Sequence, residues 1–393
     1  MVRVLLALGA LGALAAAAVL GAGCGGSFPL PTERRIGRTI PTDSSYKIVA
    51  IWSGSAPPPS GMGGIKDILL TQGSGTQLYL LFNRGGKGLS RGAIYGYSRV
   101  ASTGSPQPLP ESYIKFSHDP SSLFNPVALC SAGGHVYVLN QGDTLLARSP
   151  DSTHFIVDLS SYWFVHEYGL LGDPMTDSFS DTSVAYVNGI AADDQGGVYV
   201  SGVAVVYVPF PDNPNPAFDT KTFQNRIYRY KRGPRYPGIP DLNIVGNWHR
   251  DTTWLAEEGS GIGYVSDPRG LNWTRGGELG PPGLYVADAG KNVVAKLSDI
   301  QPSTGFFQIE GSGEGPTLTS PSSVSVDLRG YVYVADTGNH RVLRFSPEGD
   351  FIQRVDVDPS PVQQPVAVAA NDSVVFVADR ATSQVIRYQR VKR

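Results

Sequence analysis

The sequence predicts an all-β fold, a six-bladed β-propeller of four-stranded antiparallel blades, on three observations. Gly (47) and Pro (30) are abundant in 393 residues, Tyr, Val and Phe sit in short clusters, and long helical periodicity is absent. That composition favours many short strands and turns. One apolar run recurs six times, as LYLLF (Leu78–Phe82), VYVLN (Val136–Asn140), VYVSG (Val198–Gly202), LYVAD (Leu284–Asp288), VYVAD (Val332–Asp336) and VFVAD (Val375–Asp379). A second run follows each: AIYGY (Ala93–Tyr97), LLARS (Leu145–Ser149), RIYRY (Arg226–Tyr230), VVAKL (Val293–Leu297), RVLRF (Arg341–Phe345) and QVIRY (Gln384–Tyr388). In four pairs the run centres lie nine positions apart. A run that is apolar at every position is buried on both faces, and one small sheet cannot bury both faces alone, so the copies must stack.

The chain begins with a targeting segment. Arg3 precedes an apolar run from Val4 to Leu20, and Gly21-Ala22-Gly23 leads to Cys24, the layout of a secretory signal peptide. The end, LGAGCGG, resembles a bacterial lipoprotein signal, although Gly21 stands where that family usually has leucine. The resemblance implies removal of residues 1–23 and a lipid on Cys24. The alternative is an ordinary signal cleaved nearby, or an uncleaved anchor. Gly25 in place of Asp resembles lipoproteins sent to an outer membrane, which implies a cell-envelope protein on its periplasmic side or at the cell surface. Residues 24–45, polar and marked by Pro29, Pro31 and Pro41, read as a tether. Cys130 is then left without a partner and reads as a small buried apolar residue.

Residues 46–393 form the propeller. A strand before each run pair often starts at proline (Pro126, Pro321, Pro365), which costs no ladder donor at that position. Gly330 to Phe345, GYVYVADTGNHRVLRF, is similar to the NHL repeat; Leu284–Leu297 and Val375–Tyr388 match it less closely and the first three copies are degenerate. Copies recur every 43 to 62 residues apart from one step of 86, a size that fits one blade each. Outer strands are expected at Tyr113–Phe116, Phe155–Asp158, Leu242–Val245, Phe306–Ile309 and Phe351–Val355. The sixth blade runs out of chain after three strands. Tyr46–Ile51 is therefore expected to complete it, pairing antiparallel with Gln384–Gln389 and closing the ring.

A formal net charge of −2 without a basic block points away from nucleic acid. Asp288, Asp336 and Asp379 end strands and read as turn residues that bind local backbone N–H groups. The basic positions of the third strands (Arg148, Arg229, Lys296, Arg344, Arg387) read as a solvated or locally paired strand face. Departures from the repeat carry more information. Leu159–Val187, Val203–Asn225 and Gly246–Asp267 read as long inserts of blades two to four, all on one face. They supply the candidate ligand-binding residues Trp163, His166, Glu167, Trp248, His249 and Asp251. Packing of the inserts onto the rim accounts for the same aromatics. No HExxH or paired-Cys spacing is present, so no metal ligand and no cofactor is assigned. The NHL resemblance implies an interaction platform for an envelope protein, a peptide or a glycan, tethered to the membrane through Cys24. The alternative is a propeller lyase or hydrolase with a metal or acid–base site on the inserted face, and fold alone does not choose between them.

Overall fold

In the computed structural model the described residues are 44–52, 64–71, 76–83, 92–98, 107–114, 125–141, 163–170, 179–208, 220–233, 244–245, 247–261, 263–276, 281–300, 307–309, 316–356 and 360–392. They belong to one compact unit, Thr42–Arg393. The expected signal, the expected lipid site Cys24 and the expected tether up to residue 43 lie outside them, as do Leu145–Ser149 and Phe155–Asp158.

The first blade is β2(Ile65–Leu70), β3(Leu78–Asn83), β4(Gly92–Ser98) and β5(Gln107–Ile114), paired in that order. The second has β6(Pro126–Ala132), β7(His135–Gln141) and β8(Trp163–Gly169), and an antiparallel bridge joins Val165 to Phe179 on its outer side. The third has β10(Val184–Ala192), β11(Val198–Val208), β12(Thr220–Arg232) and β14(Trp248–Ala256). Between blades two and three, β9(Ser180–Asp181) pairs with β13(Ile244–Val245). The fourth runs β15(Pro268–Thr274), β16(Gly283–Asp288), β17(Val293–Ser298), β18(Phe307–Ile309), and the fifth β19(Ser323–Val326), β20(Val332–Asp336), β21(Arg341–Phe345), β22(Phe351–Arg354). The sixth is β23(Pro365–Ala370), β24(Val374–Asp379), β25(Gln384–Lys392) and, from the other end of the chain, β1(Ser44–Trp52). The expected pairing is the one observed: Lys47 faces Gln389 and Ile51 faces Ile386, with a bulge between Ile48 and Ala50.

Two sequence expectations are corrected. Residues 163–169 are no insert; they form the third strand of blade two, with Val138 opposite His166. Residues 248–256 are the outer strand of blade three, paired to β12, whereas Ile244–Val245 pairs with β9. In blade two the nine-residue spacing of the regular blades points to Leu145–Ser149, whereas the third strand begins at Trp163. In blade three the expected third strand Arg226–Tyr230 lies within β12, and only the outer strand is displaced, from Leu242–Val245 to Trp248–Ala256.

The alternation of the pleat explains why the repeated run is apolar throughout. Tyr333 and Ala335 of β20 pack toward blade six, while Val332 and Val334 pack toward blade four. Among the described residues the core divides into six clusters, each shared by two neighbouring blades, including blade six with both five and one. The inner strands follow one another as β2, β6, β10, β15, β19 and β23, and β23 packs back against β2. Fully burying one such Val, Leu or Phe stabilises by about 1.5–3 kcal/mol, so stability is spread evenly round the ring. The inner strands surround a cavity of about 570 Å³.

Turn aspartates join the blades. Asp288 accepts backbone N–H bonds from Ser266 (2.7 Å) and Asp267 (2.9 Å), Asp336 from Thr319 (2.7 Å), and Asp379 from Gln363 (2.6 Å) and Gln364 (2.7 Å). Each of these buried carboxylates fastens the incoming linker to the end of its blade's second strand, in addition to the expected turn role, in which Asp288 accepts from the N–H groups of Gly290 and Lys291 (both 3.1 Å) and Asp379 from that of Thr382 (2.8 Å).

Candidate functional site

The six candidate residues lie on strands and do not share a cleft. Trp163 is fully buried, its indole N–H donating to the carbonyls of Asp181 (3.1 Å) and Val184 (3.0 Å), and its ring meets Phe179 and Tyr230 edge-on. His166 stacks on Phe164 at 5.8 Å and leans against Tyr168; burial lowers its pKa to about 4, which keeps the imidazole neutral at ordinary pH. Trp248 is buried on Phe179, with rings 4.6 Å apart and 29° between planes. His249 donates from Nδ1 to the Gly233 carbonyl at 2.6 Å. The two histidines thus have separate partners on separate strands. Among the described residues no three His, Cys, Asp or Glu side chains converge as a metal site would require.

The two acids are tied into ion pairs. Buried Glu167 accepts from Arg232 (2.5 Å) and Tyr137 (3.4 Å), and His135 Nδ1 is 3.2 Å away. Asp251 accepts from Lys231 (2.7 Å) and from the backbone N–H and hydroxyl of Thr253 (3.0 and 2.6 Å). Burial opposes its ionisation, but the Lys231 and Thr253 bonds outweigh burial and hold its carboxyl below the usual range. These side chains belong to the third and fourth strands, toward the rim, and packing accounts for their aromatic character.

Of the two expectations for the third-strand basic residues, solvated or locally paired, local pairing holds for Arg229, which bonds Asp193 at 2.5 Å. Arg229, Lys296, Arg344 and Arg387 each stand directly across the ladder from an aromatic residue: Tyr199, Tyr285, Tyr333 and Phe376. The cations lie over those rings at 5.3, 5.2, 5.8 and 6.0 Å, and Lys296, Arg344 and Arg387 are buried. A cation held over a ring face is attracted by its quadrupole, which explains how charge sits inside a blade.

The insert Val203–Asn225 is a different matter. Its described residues, 203–208 and 220–225, extend the β11–β12 ladder without a break, in register from Val198 opposite Tyr230 to Val208 opposite Thr220. Val205 faces Phe223 and Tyr207 faces Lys221, while Tyr186 of β10 lies opposite Val203, so these side chains share one sheet face. Tyr186, Tyr207 and Phe223 are 54%, 62% and 57% exposed, and the Lys221 ammonium rests 5.5 Å above the Phe223 ring. The opposite face is spent on the core: Ala204 is buried and Val206 packs on the cluster that contains Trp163. Inner strands and third strands run in one direction and second strands in the other, so the hairpin rises from the face where the inner strands begin. Sequence reasoning marked this stretch as an excursion and missed its aromatic face. The signal was present in VAVVYV opposite KTFQN, where the two-residue alternation continues beyond the length of a blade strand.

Residues 318–345 match the NHL repeat. No curated protein matches the chain. Among solved structures it is similar to virginiamycin B lyase from Staphylococcus aureus. A catalytically inactive variant with quinupristin aligns at 10% identity and a TM-score of 0.43, over 88% of this chain and 99% of that one. The selenomethionine-substituted protein aligns at 11% identity and 0.40, with the same coverage. The matched repeat spans β19 to β21 of the most regular sheet, one blade of an all-β chain whose sheets are ordered as a propeller.

Proposed function

We propose that this propeller is a membrane-tethered, extracytoplasmic binding platform, held to the cell envelope by a lipid on Cys24. It engages an envelope protein or peptide through the face that carries the β11–β12 hairpin. The observation that carries this reading is the exposed stripe of Tyr186, Tyr207 and Phe223, backed by a buried opposite face. Exposed aromatics on a rigid sheet bring large apolar area at low entropic cost, the composition enriched where proteins meet. A glycan would use the same rings by stacking. The lyase or hydrolase alternative draws no support from His166 and His249, which lie on separate strands with separate partners.

The test replaces Tyr207 and Phe223 by Ser in the chain lacking residues 1–23 and compares capture of envelope proteins and binding to a glycan array. Loss of one specific protein partner, with thermal melting unchanged, supports the platform. Capture that is indifferent to both changes removes the hairpin from the reading, and loss confined to the array makes the ligand a glycan. For the anchor, Cys24→Ser in the full chain is expected to move the protein from the membrane to the soluble fraction. Continued membrane association would count against lipid on Cys24.

A further inference from the structure

The inner strands of all six blades share one register. Past a slip near the start of the strand, Ile68 stands opposite Leu80, Leu129 opposite Val138 and Ile190 opposite Val200. Leu271 stands opposite Val286 and Val368 opposite Val377 in the same way. In blade five Ser322 and Ser323 share Ala335, and Val324 follows opposite Val334. These six residues occupy one level of the wall, and all six line the central cavity. Successive residues of an antiparallel strand turn their N–H groups alternately toward the partner strand and away from it. An inner strand has its partner on one side alone, so at this level the six N–H groups point into the channel. Leu129 and Val368 show this directly: they donate to the preceding blade, to Asp67 Oδ2 (2.9 Å) and to the Ser323 hydroxyl (3.2 Å).

The acceptor thus comes from the blade before, one residue earlier on its inner strand. Asp67 serves blade two and also its own blade, accepting from Ile68 at 2.8 Å. At the same position blades two, three and four carry Ala128, Gly189 and Gly270, which have no side-chain acceptor. Three consecutive donors, the N–H groups of Ile190, Leu271 and Val324, are therefore left facing the cavity. Among the described residues no other side chain takes the place of the missing acceptor. A backbone N–H without an acceptor costs free energy, so this arc is suited to oxygens of a ligand. Neighbouring inner strands come within 8 Å of each other, Cα to Cα, so the arc begins one blade away from the Asp67 carboxylate. The other charged residues of the wall lie at the mouth: Lys66 is exposed, and Arg269 is bound to Asp267 (2.8 Å) and Ser320 (3.4 Å). The wall is polarised, with donors on blades three to five and a carboxylate between blades one and two. A simple anion would meet Asp67 and a simple cation would meet the N–H arc.

We infer that the channel binds a zwitterion of amino-acid size, its carboxylate on the N–H groups of Ile190, Leu271 and Val324 and its ammonium on Asp67. Concave arrays of backbone N–H groups receive anionic groups without a cation. The ammonium supplies Asp67 with a charge partner, and the bound molecule brings no net charge into the site. The cavity, about 570 Å³, has the size of a small-molecule site. This site is separate from the hairpin stripe and stands or falls without it.

Isothermal titration of the chain lacking residues 1–23 with each of the standard amino acids tests it. Saturable binding of at least one is expected, weakened about tenfold or more by Asp67→Ser and by Ala128→Ser. The first change removes the charge and keeps a hydroxyl of the kind that Ser323 offers. The second gives Ile190 the acceptor it lacks and so closes part of the arc from within. N-acetylation or carboxyl amidation of the bound amino acid is expected to abolish binding, and Lys47→Ala on the outer strand β1 to leave it unchanged. Absence of binding by every amino acid overturns the inference, and so does binding that is indifferent to both channel variants. Binding that survives acetylation and amidation would rule out the zwitterion. Thermal melting of each variant without ligand separates loss of the site from loss of the fold.

Discussion

Glu167 stands directly across the β7–β8 ladder from Tyr137, the place where four other blades set Arg229, Lys296, Arg344 or Arg387 against an aromatic ring. Blade two thus reverses the sign of a position that is otherwise basic. The cation it lacks comes from outside the ladder position, as Arg232 of blade three, and the His135 ring of its own second strand lies 3.2 Å away. The reversal turns a contact within one blade into a bond between two. Arg232→Ala would leave Glu167 buried without its closest cation, and urea denaturation is expected to show a loss of about 2–3 kcal/mol. Glu167→Gln keeps the shape and the Tyr137 bond and is expected to cost about 1 kcal/mol. Equal stability of Arg232→Ala and the parent chain would mean that solvent already serves the carboxylate.

The stacked cations of the regular blades give a second expectation. Arg344 lies 3.9 Å over Tyr331 as well as over Tyr333, the closer ring being at the turn into β20. Removing the guanidinium by Arg344→Ala should cost about 2 kcal/mol or more, and Arg344→Lys should recover only part, because a planar cation covers two rings and an ammonium one. Chemical denaturation of the two variants separates stacking from simple burial of a stem; identical losses would assign the whole effect to packing.

How much of this was legible beforehand depends on the blade. Blades four to six keep the nine-residue spacing between Val286 and Ala295, Val334 and Leu343, and Val377 and Ile386, and these pairs are cross-strand partners in the structure. The fourth strand of blade six was legible because the chain ran short by one strand, and a propeller cannot leave an edge unpaired at its seam. In blade three the third strand Arg226–Tyr230 was legible but the outer strand was not, and in blade two the third strand was not, so Trp163, Trp248 and Trp254 read as insert aromatics until the ladder shows that they face neighbouring sheets. The cations over Tyr285 and Tyr333 were equally hidden, since a basic residue in a strand signals solvent unless its cross-strand partner is known.

Asp67 titrates in the range where pH dependence is measurable. Burial raises its pKa to about 7, against bonds from Leu129 and Ile68 that pull the other way. The folded pKa then exceeds the unfolded value near 3.8, so the folded state holds its proton more firmly. Stability from this group is complete below about pH 4 and is lost as pH rises toward 7. The loss is at most about 4 kcal/mol and smaller where channel water reaches the carboxylate. Ser323 occupies the equivalent position in blade five and accepts the N–H of Val368 (3.2 Å), as Asp67 accepts that of Leu129. Asp67→Ser is accordingly expected to raise the melting temperature by several degrees at pH 8 and to leave it unchanged or lower at pH 4.5. A gain of the same size at both pH values would show that the charge plays no part.

Between blades the inner strands approach so closely that two glycines admit no side chain. A Cβ on Gly189 would lie 2.1 Å from the Arg269 carbonyl oxygen, and one on Gly270 would lie 2.6 Å from the Ser323 Cα. Both obstacles are backbone of the next blade, which cannot swing aside as a side-chain tip does. Gly270→Ala is therefore expected to push blades four and five apart at the channel wall and to cost about 2–3 kcal/mol. Gly134, with φ of +84° and open space around its Cβ, provides the contrast: alanine there meets only left-handed backbone strain and should cost about 1 kcal/mol. Denaturation midpoints of the two variants decide it, and a Gly270→Ala chain no less stable than Gly134→Ala would show that the blades can separate freely.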